Sequence, residues 1–190
     1  MKIRVLGVIG LGLLGTWAAA EPVNGKVAKQ AVFAPVQAEV EILPAAGLPK
    51  DQARALEMVG GAQPYYGAIA ISPQDGLMSE ATVAAANYHD TDAASVVALA
   101  ECNAKKTAKK PCVVAALIRP KGWQERGFQL SSDATAGFRA EYDAKSGALA
   151  ISVATGSWGM GSGTNAKADA LADCAAKPSR PKDCTVVIAN

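Results

Sequence analysis

Two segments of the chain repeat one pattern around a pair of cysteines. Cys102 ends the string ALAEC and lies ten positions before Cys112, and Cys174 ends the string ALADC and lies ten positions before Cys184. An apolar run follows each second cysteine, and the strings GAIAIS and GALAIS match upstream of the two pairs. Such self-similarity indicates an internal duplication, which constrains the fold more than any single motif does. The sequence therefore predicts two copies of one small module.

Each copy predicts the order helix, strand, strand, helix, strand. Short runs of β-branched and small residues suit buried strands, the 73–76 segment PQDG favours a turn, and polar residues cap the second helix of each copy. The predicted elements are helix 51–59, strand 67–72, strand 77–86, a helix from Thr91 or Asp92 to Cys102 and strand 113–118, then helix 133–143, strand 147–152, a helix from Thr164 or Asn165 to Cys174 and strand 185–189.

The predicted fold class is α+β, with the two tandem modules sharing one core. The chain is 50% hydrophobic with a mean hydropathy of +0.12, which excludes disorder for most of it. A lone module of roughly sixty residues would bury too little surface to be comfortably stable. The expected organisation is a signal peptide at 1–20, an N-terminal arm at 21–50 that is extended around 27–33 and 36–42, module 1 at 51–118, a connector at 119–131 and module 2 at 132–190.

The four cysteines are expected to form structural disulfides, one in each module. Four cysteines allow three connectivities, and the repeat favours the local pairs Cys102–Cys112 and Cys174–Cys184 because one module then closes its own loop. Each such loop stabilises the fold by roughly 3 kcal/mol in the chain-entropy model. A metal site would need C-x-x-C spacing or histidine partners, and neither pair has them, so no metal site is predicted.

The first twenty residues have the pattern of a secretory signal peptide. Lys2 and Arg4 precede an uncharged apolar run that is too short to span a bilayer, and the AAA string ending at Ala20 suits signal peptidase. Cleavage there would leave no transmembrane anchor. Removing Lys2 and Arg4 from the 19 basic residues leaves 17, which equals the 17 acidic ones. A neutral exported chain lacks the basic excess that nucleic-acid binding requires.

The repeated strings resemble a secreted bacterial family known as domain of unknown function 4189. The resemblance rests on YGAIAIS at 66–72, on GALAIS with the later Trp158 and Gly159, and on the two ALA-acid-C units, and it covers 66–118 and 147–190. It implies a small α+β module of the envelope or the secreted fraction, and it supplies no catalytic residues.

Some similar secreted chains carry an isomerase label, for 5-carboxymethyl-2-hydroxymuconate. Enzymes of the tautomerase group with that activity use an N-terminal proline as the base. In this chain Pro22 would stand second, behind Glu21, after cleavage at Ala20. The free proline amine that this chemistry needs would therefore be absent.

His89 is the one histidine and the centre of the candidate catalytic residues His89, Asp90 and Asp92. A histidine beside carboxylates can act as a general base, or as a ligand together with them. The alternative is a strand-to-helix loop in which Thr91 and Asp92 cap the helix. The second copy is eight residues shorter here and lacks the stretch. Because a histidine in a polar loop of one copy more often serves local structure, we expect its loss to leave the protein folded.

Both segments between paired cysteines are basic, and we call residues 103–111 the basic loop and residues 175–183 the second disulfide loop. The basic loop contains no acid, and the second disulfide loop has a net charge of about +2. The candidate ligand-binding residues are Lys105, Lys106, Lys109 and Lys110. Lysines held together at a tip can contact an anionic partner, although solvated lysines of this kind also simply maintain solubility.

The glycine-rich string GMGSG at 159–163 superficially resembles a phosphate-binding loop. The string at 159–163 fits neither G-x-x-x-x-G-K-[ST] nor G-x-G-x-x-G, so a glycine-rich strand end is the better interpretation. We therefore expect no cofactor. The sequence favours a periplasmic or secreted, non-catalytic binding module whose partner is an envelope protein or an anionic envelope component. The alternative is a small isomerase or hydrolase centred on His89.

Overall fold

The computed structural model describes residues 21–34 and 36–190, and the signal peptide predicted at 1–20 lies outside them. The α+β class is confirmed, and the order helix, strand, strand, helix, strand occurs twice. The helices are α1 (Gly25–Ala31), α2 (Lys50–Gly61), α3 (Thr91–Lys105), α4 (Ser132–Glu141) and α5 (Ala166–Ala175). The strands are β1 (Ala38–Ile42), β2 (Gly67–Ile71), β3 (Val83–Ala85), β4 (Val113–Pro120), β5 (Ala148–Ile151), β6 (Trp158–Gly161) and β7 (Thr185–Ala189).

The strands form two antiparallel sheets. The first sheet has the order β1-β4-β2-β3, and the second has the order β6-β5-β7. The matching strings GAIAI and GALAI form the strands β2 and β5, which each lie between two neighbours. The register of β2 against β4 shifts between Ile69 and Ala70, and the register of β5 against β7 shifts between Leu149 and Ala150. The irregularity therefore falls at the same place in the two strings.

Small residues bring one helix close to each sheet. Helix α3 buries Ala94, Ala98 and Cys102 completely, and these residues recur every four positions along one face. Helix α5 buries Ala166, Ala170 and Cys174 with the same spacing. Each buried cysteine thus extends an alanine stripe, so the disulfide lies at the edge of the apolar cluster under its helix.

The glycines of the 159–163 string allow α5 to approach β6. A Cβ atom on Gly159 would lie 2.2 Å from the backbone nitrogen of Cys174, and one on Gly161 would lie 2.2 Å from the carbonyl oxygen of Ala166. No side chain fits in that space, because real Cβ contacts are much longer than this. Both glycines lie in β6, where they serve helix-to-strand packing, a role that the sequence interpretation did not include.

The predicted extended conformation of the arm is wrong at 27–33. Residues Gly25–Ala31 form α1, because the side chain of Asn24 accepts a hydrogen bond from the Lys26 amide at 3.0 Å and caps a run rich in helix-forming residues. The helix buries Ala28 in a cluster of module 2 that includes Phe138. The extended segment at 36–42 is confirmed in part, since β1 pairs with β4 of module 1.

The second strand of module 1 is shorter than predicted. Of the predicted segment 77–86, only Val83–Ala85 pairs with β2. The preceding residues form successive turns, in which the Ser79 amide bonds to the Gly76 carbonyl and the Thr82 amide to the Ser79 carbonyl. Backbone groups that bond within these turns cannot also join a ladder, so the strand begins only after them.

Candidate functional site

Both predicted disulfides are present, and all four cysteines are used. The Cα atoms of Cys102 and Cys112 lie 6.1 Å apart, and those of Cys174 and Cys184 lie 6.2 Å apart. Each bridge joins the C-terminal part of a helix to the residue that immediately precedes the third strand of its module. The two segments between the cysteines are therefore closed at both ends.

His89 lies buried between the two modules, with 3% of its surface exposed. Its Nδ1 accepts a hydrogen bond from the Ser131 backbone amide at 3.1 Å, and its Nε2 donates one to the Ser157 carbonyl at 3.2 Å. Ser131 caps α4, and Ser157 precedes β6, so both partners belong to the second half of the chain. His89 joins module 1 to the backbone of module 2.

The environment of His89 favours the neutral imidazole. Burial lowers the pKa of His89 below its ordinary value of 6.5, although the Ser157 carbonyl and the charges of Asp90 and Asp183 act in the opposite direction. An uncharged ring has one accepting and one donating nitrogen, and the two backbone partners require that arrangement. Both ring nitrogens are engaged, so neither is directed at open space where a substrate could bind.

The two carboxylates predicted beside His89 do not hydrogen-bond to its ring. Asp90 caps α3, and its carboxylate accepts a hydrogen bond from the Ala93 amide at 2.6 Å. Asp92 lies exposed in the first turn of the same helix, where a negative charge is favourable. Helix capping was the expected alternative for this segment, but the capping residue is Asp90 rather than Thr91 or Asp92.

Other contacts surround His89 and complete a junction between the modules. The side chain of Asn87 donates to the Asp133 carboxylate at 2.8 Å and accepts from the Asp133 amide at 3.1 Å. The Ser132 amide donates to the Tyr65 carbonyl at 2.9 Å. A Cβ atom on Gly156 would lie 2.5 Å from the Asn87 carbonyl oxygen, so the two backbones touch there. Part of this junction therefore comes from the segment that only the first copy possesses.

The basic loop is held by residues of the turn after β2. The Asp75 carboxylate accepts hydrogen bonds from the Thr107 hydroxyl at 2.6 Å and from the amides of Thr107 and Ala108 at 3.1 and 3.2 Å. The Gln74 side chain accepts a bond from the Lys110 amide at 3.2 Å. The side-chain hydrogen bonds from Thr107 and Ser72 lower the pKa of Asp75 to about 2. The loop is therefore clamped along its length as well as closed by its disulfide.

The structure separates the four candidate lysines into two groups. The Lys105 ammonium lies 4.0 Å from the Glu101 carboxylate, and the Lys106 ammonium donates to the Ala108 carbonyl at 2.8 Å. Lys109 and Lys110 are exposed, and neither forms an ion pair within the described residues. Lys106 also lacks an ion pair within the described residues, but its ammonium is held against the backbone of the loop, so the fully exposed charges lie at the C-terminal end, on Lys109 and Lys110.

The second disulfide loop uses its acid in a related way. The Asp183 carboxylate accepts a hydrogen bond from the Ser152 hydroxyl at 2.5 Å and one from the Ala154 amide at 2.9 Å. Lys177 pairs with Asp173 at 2.9 Å, four positions earlier. An aspartate therefore ties each disulfide loop to the turn after the first strand of its module. In module 1 this aspartate is Asp75 and belongs to the turn, whereas in module 2 it is Asp183 and belongs to the loop.

The sequence did not reveal the clamping role of Asp75 and Gln74 or the partners of His89. The segment PQDG was interpreted only as a turn, and the one available signal was an aspartate whose position near a basic loop depends on the fold. Ser131 and Ser157 contribute backbone groups to His89, so their side chains carry no signal for that role.

No group of three or more metal-ligating side chains occurs within 21–34 and 36–190. Over the same residues, no helix is long and apolar enough to span a membrane. Comparison with family models, curated proteins and solved structures found no match for this chain.

Proposed function

We propose that this protein is an exported, non-catalytic binding module that contacts anionic material of the bacterial envelope through its basic loop. The observation that carries the proposal is the exposed pair Lys109 and Lys110, on a loop that the Cys102–Cys112 bridge closes and Asp75 clamps. The resemblance of the repeated strings to domain of unknown function 4189 supports the same assignment to the envelope.

Export is supported by the redox state of the cysteines. Disulfides persist in oxidising compartments and are rare in the cytosol, so two bridges indicate an oxidising environment. The leader-like pattern at 1–20 adds the route by which the chain would reach the periplasm or the outside of the cell.

A clamped loop is suited to binding because little conformational freedom is lost when a partner arrives. The ends of the loop are fixed by the disulfide, and its middle is fixed by the hydrogen bonds that Thr107 and Ala108 donate to Asp75. Ordering a flexible segment on binding would oppose association. Lys109 and Lys110 are adjacent in sequence, so one anionic surface can interact with both charges.

The contacts of His89 favour binding over catalysis. A general base must reach the proton it removes, and both nitrogens of His89 already bond to backbone groups. The carboxylate of Asp90 is occupied by a helix cap. His89 and Asp90, on which the hypothesis of an isomerase or hydrolase depends, thus make structural contacts instead.

The proposal is tested by co-sedimentation with vesicles of phosphatidylglycerol and phosphatidylcholine, beside vesicles of phosphatidylcholine alone. Each lysine near an anionic surface contributes about 1 kcal/mol, so Lys109→Gln/Lys110→Gln should weaken partitioning onto the anionic vesicles by about 30-fold at low salt. Raising the salt should weaken binding of the wild type toward that of the variant.

The matched control is Lys145→Gln/Lys167→Gln, which removes the same charge from exposed positions of module 2. We expect the control to bind like the wild type. A parallel arm with isolated wall polymer shows whether lipid headgroups or polymer anions are the better ligand. Equal binding by the wild type and the Lys109/Lys110 variant in both arms would overturn the proposal and leave these lysines a role in solubility only.

A further inference from the structure

A cavity of about 460 Å³ lies between the arm and module 2. Helix α1 supplies one wall, helix α4 with the residues just after it supplies the other, and Asn190 closes one end. The side chain of Asn190 accepts hydrogen bonds from the Asn24 side chain and from the Gly25 amide, both at 2.9 Å. The end of the cavity is thus built by defined contacts between distant parts of the chain.

The inner surface of the cavity is aromatic and firmly held. Phe138 is 3% exposed and packs against Tyr142, with ring centroids 4.8 Å apart. The Tyr142 hydroxyl donates to the Gly147 carbonyl at 2.9 Å, and its ring lies so close to Gly25 that a Cβ atom there would be 2.5 Å from it. The position of the tyrosine ring is therefore set before any ligand arrives.

The charged residues that line the cavity all have the same sign. Lys26 and Lys29 lie three positions apart on one face of α1, and Arg139 faces them from α4. Neither aspartate nor glutamate lines the cavity, and within the described residues these three cations form no ion pair. Among the described residues the Arg139 guanidinium forms one hydrogen bond, to the Val32 carbonyl at 3.4 Å, which leaves its charge uncompensated.

An aromatic surface beneath uncompensated cations is complementary to a small organic anion. Ligand cavities of about 300–1,000 Å³ hold compact molecules, bury most of their surface and use a few polar groups for orientation. The apolar part of such a ligand would contact mainly the ring of Tyr142, because Phe138 is almost entirely buried beneath it, and its anionic group would lie at the cationic rim. A purely inorganic anion would leave the aromatic surface unused, and a neutral molecule would leave the charges unused.

We propose that this cavity binds a small carboxylate with an aromatic or aliphatic body, independently of the basic loop. The cavity belongs to the arm and module 2, whereas Lys109 and Lys110 belong to module 1. The two sites can therefore be tested separately, and the failure of one leaves the other standing.

The test is a titration of the disulfide-bonded protein with phenylbutyrate, followed by two-dimensional amide NMR. We expect saturable shifts at the amides of Lys26, Lys29, Arg139 and Ala144, with a Kd of about 1 mM for so small a probe. Phenylbutanol, which lacks the charge, should bind about tenfold more weakly, and acetate, which lacks the apolar body, should cause no saturable shift at these amides.

Two variants test which lysines bind the carboxylate of the probe. Lys26→Gln/Lys29→Gln changes only exposed side chains and should raise the Kd for phenylbutyrate about tenfold. Lys109→Gln/Lys110→Gln removes the same charge far along the chain and should leave the Kd unchanged. The proposal is overturned if phenylbutyrate shows no saturation by about 10 mM, if phenylbutanol binds equally well, or if the two variants weaken binding to the same extent.

Discussion

Replacing His89 with alanine should destabilise the protein substantially, contrary to what the sequence suggested. Located in a polar stretch of one copy, this histidine was expected to be dispensable for folding. In the structure it is buried, and it accepts the Ser131 amide proton on Nδ1 while donating from Nε2 to the Ser157 carbonyl. The variant removes a ring that fills the junction and also removes both hydrogen bonds.

The two lost bonds do not carry equal free energies. Ser131 is fully buried, so its amide would lose its acceptor without gaining water, which costs about 1–3 kcal/mol. The Ser157 carbonyl still accepts a bond from the Ser152 amide at 2.8 Å and would not be left without a partner. Loss of the ring adds a cavity cost, and truncation of a large buried side chain reaches 3–5 kcal/mol in total. We therefore expect the free energy of unfolding to fall by about 3 kcal/mol.

Asparagine at the same position separates these contributions. Its side-chain oxygen can occupy the place of Nδ1 and accept the Ser131 proton, whereas alanine offers no acceptor. His89→Asn should therefore lie above His89→Ala in unfolding free energy by at least about 1 kcal/mol. Urea denaturation measures both variants, and Lys145→Ala, an exposed change, should stay within about 0.5 kcal/mol of the wild type.

The reasoning would be refuted by either of two results. A loss below about 1 kcal/mol in His89→Ala would mean that the junction contributes little to stability. Equal stability of the alanine and asparagine variants would mean that the bond to Ser131 is not the relevant contact.

Three further predictions concern the pH dependence, one disulfide and one glycine. Burial lowers the pKa of His89 in the folded protein, so below about pH 6.5 the unfolded chain binds a proton that the native state does not. The unfolding free energy should therefore fall as the pH drops below about 6.5. A series of denaturation curves measured at different pH should show this pH dependence reduced in His89→Asn. Cys174→Ala/Cys184→Ala should lower the unfolding free energy by about 2–5 kcal/mol in urea, and the reduced wild type, which lacks both bridges, should lose more; a variant as stable as the oxidised wild type would contradict a stabilising bridge. Gly159→Ala should lower the unfolding free energy by about 1–3 kcal/mol, because the added methyl group would push α5 away from β6. Gly127→Ala, at a position with open space around it, should leave the unfolding free energy unchanged. Equal unfolding free energies for the two variants would contradict the packing argument.

The repeat made much of the fold predictable. Identical spacing around the two cysteine pairs indicated both disulfides, and the strings GAIAIS and GALAIS indicated the strands β2 and β5. These signals are local, since each depends on residues that are neighbours in sequence. The arm was harder to predict, because Gly25–Ala31 becomes a helix through its cap and its burial against module 2, and the burial depends on tertiary contacts.

The candidate site was less predictable because its contacts join distant residues. His89 and Ser157 are separated by 68 positions, and Asp75 and Thr107 by 32. Neither hydrophobic periodicity nor motif spacing in the sequence predicts such contacts. The sequence offers His89 either as a candidate base or as part of a helix-capping loop, whereas in the structure its ring is a buried partner of two backbone groups. The sequence presents the four lysines of the basic loop only as a group, and only the structure distinguishes Lys106, which bonds within the loop, from Lys109 and Lys110.

The most direct test of the whole account is non-reducing peptide mapping by mass spectrometry of the full-length protein recovered from the periplasm of a bacterial host. The account predicts an N-terminal peptide that begins at Glu21, the bridged peptides Cys102–Cys112 and Cys174–Cys184, and no other cysteine pair. Free thiols, a pair that joins the two modules, or an N-terminus still at Met1 would contradict an exported protein built from two modules that each close their own loop.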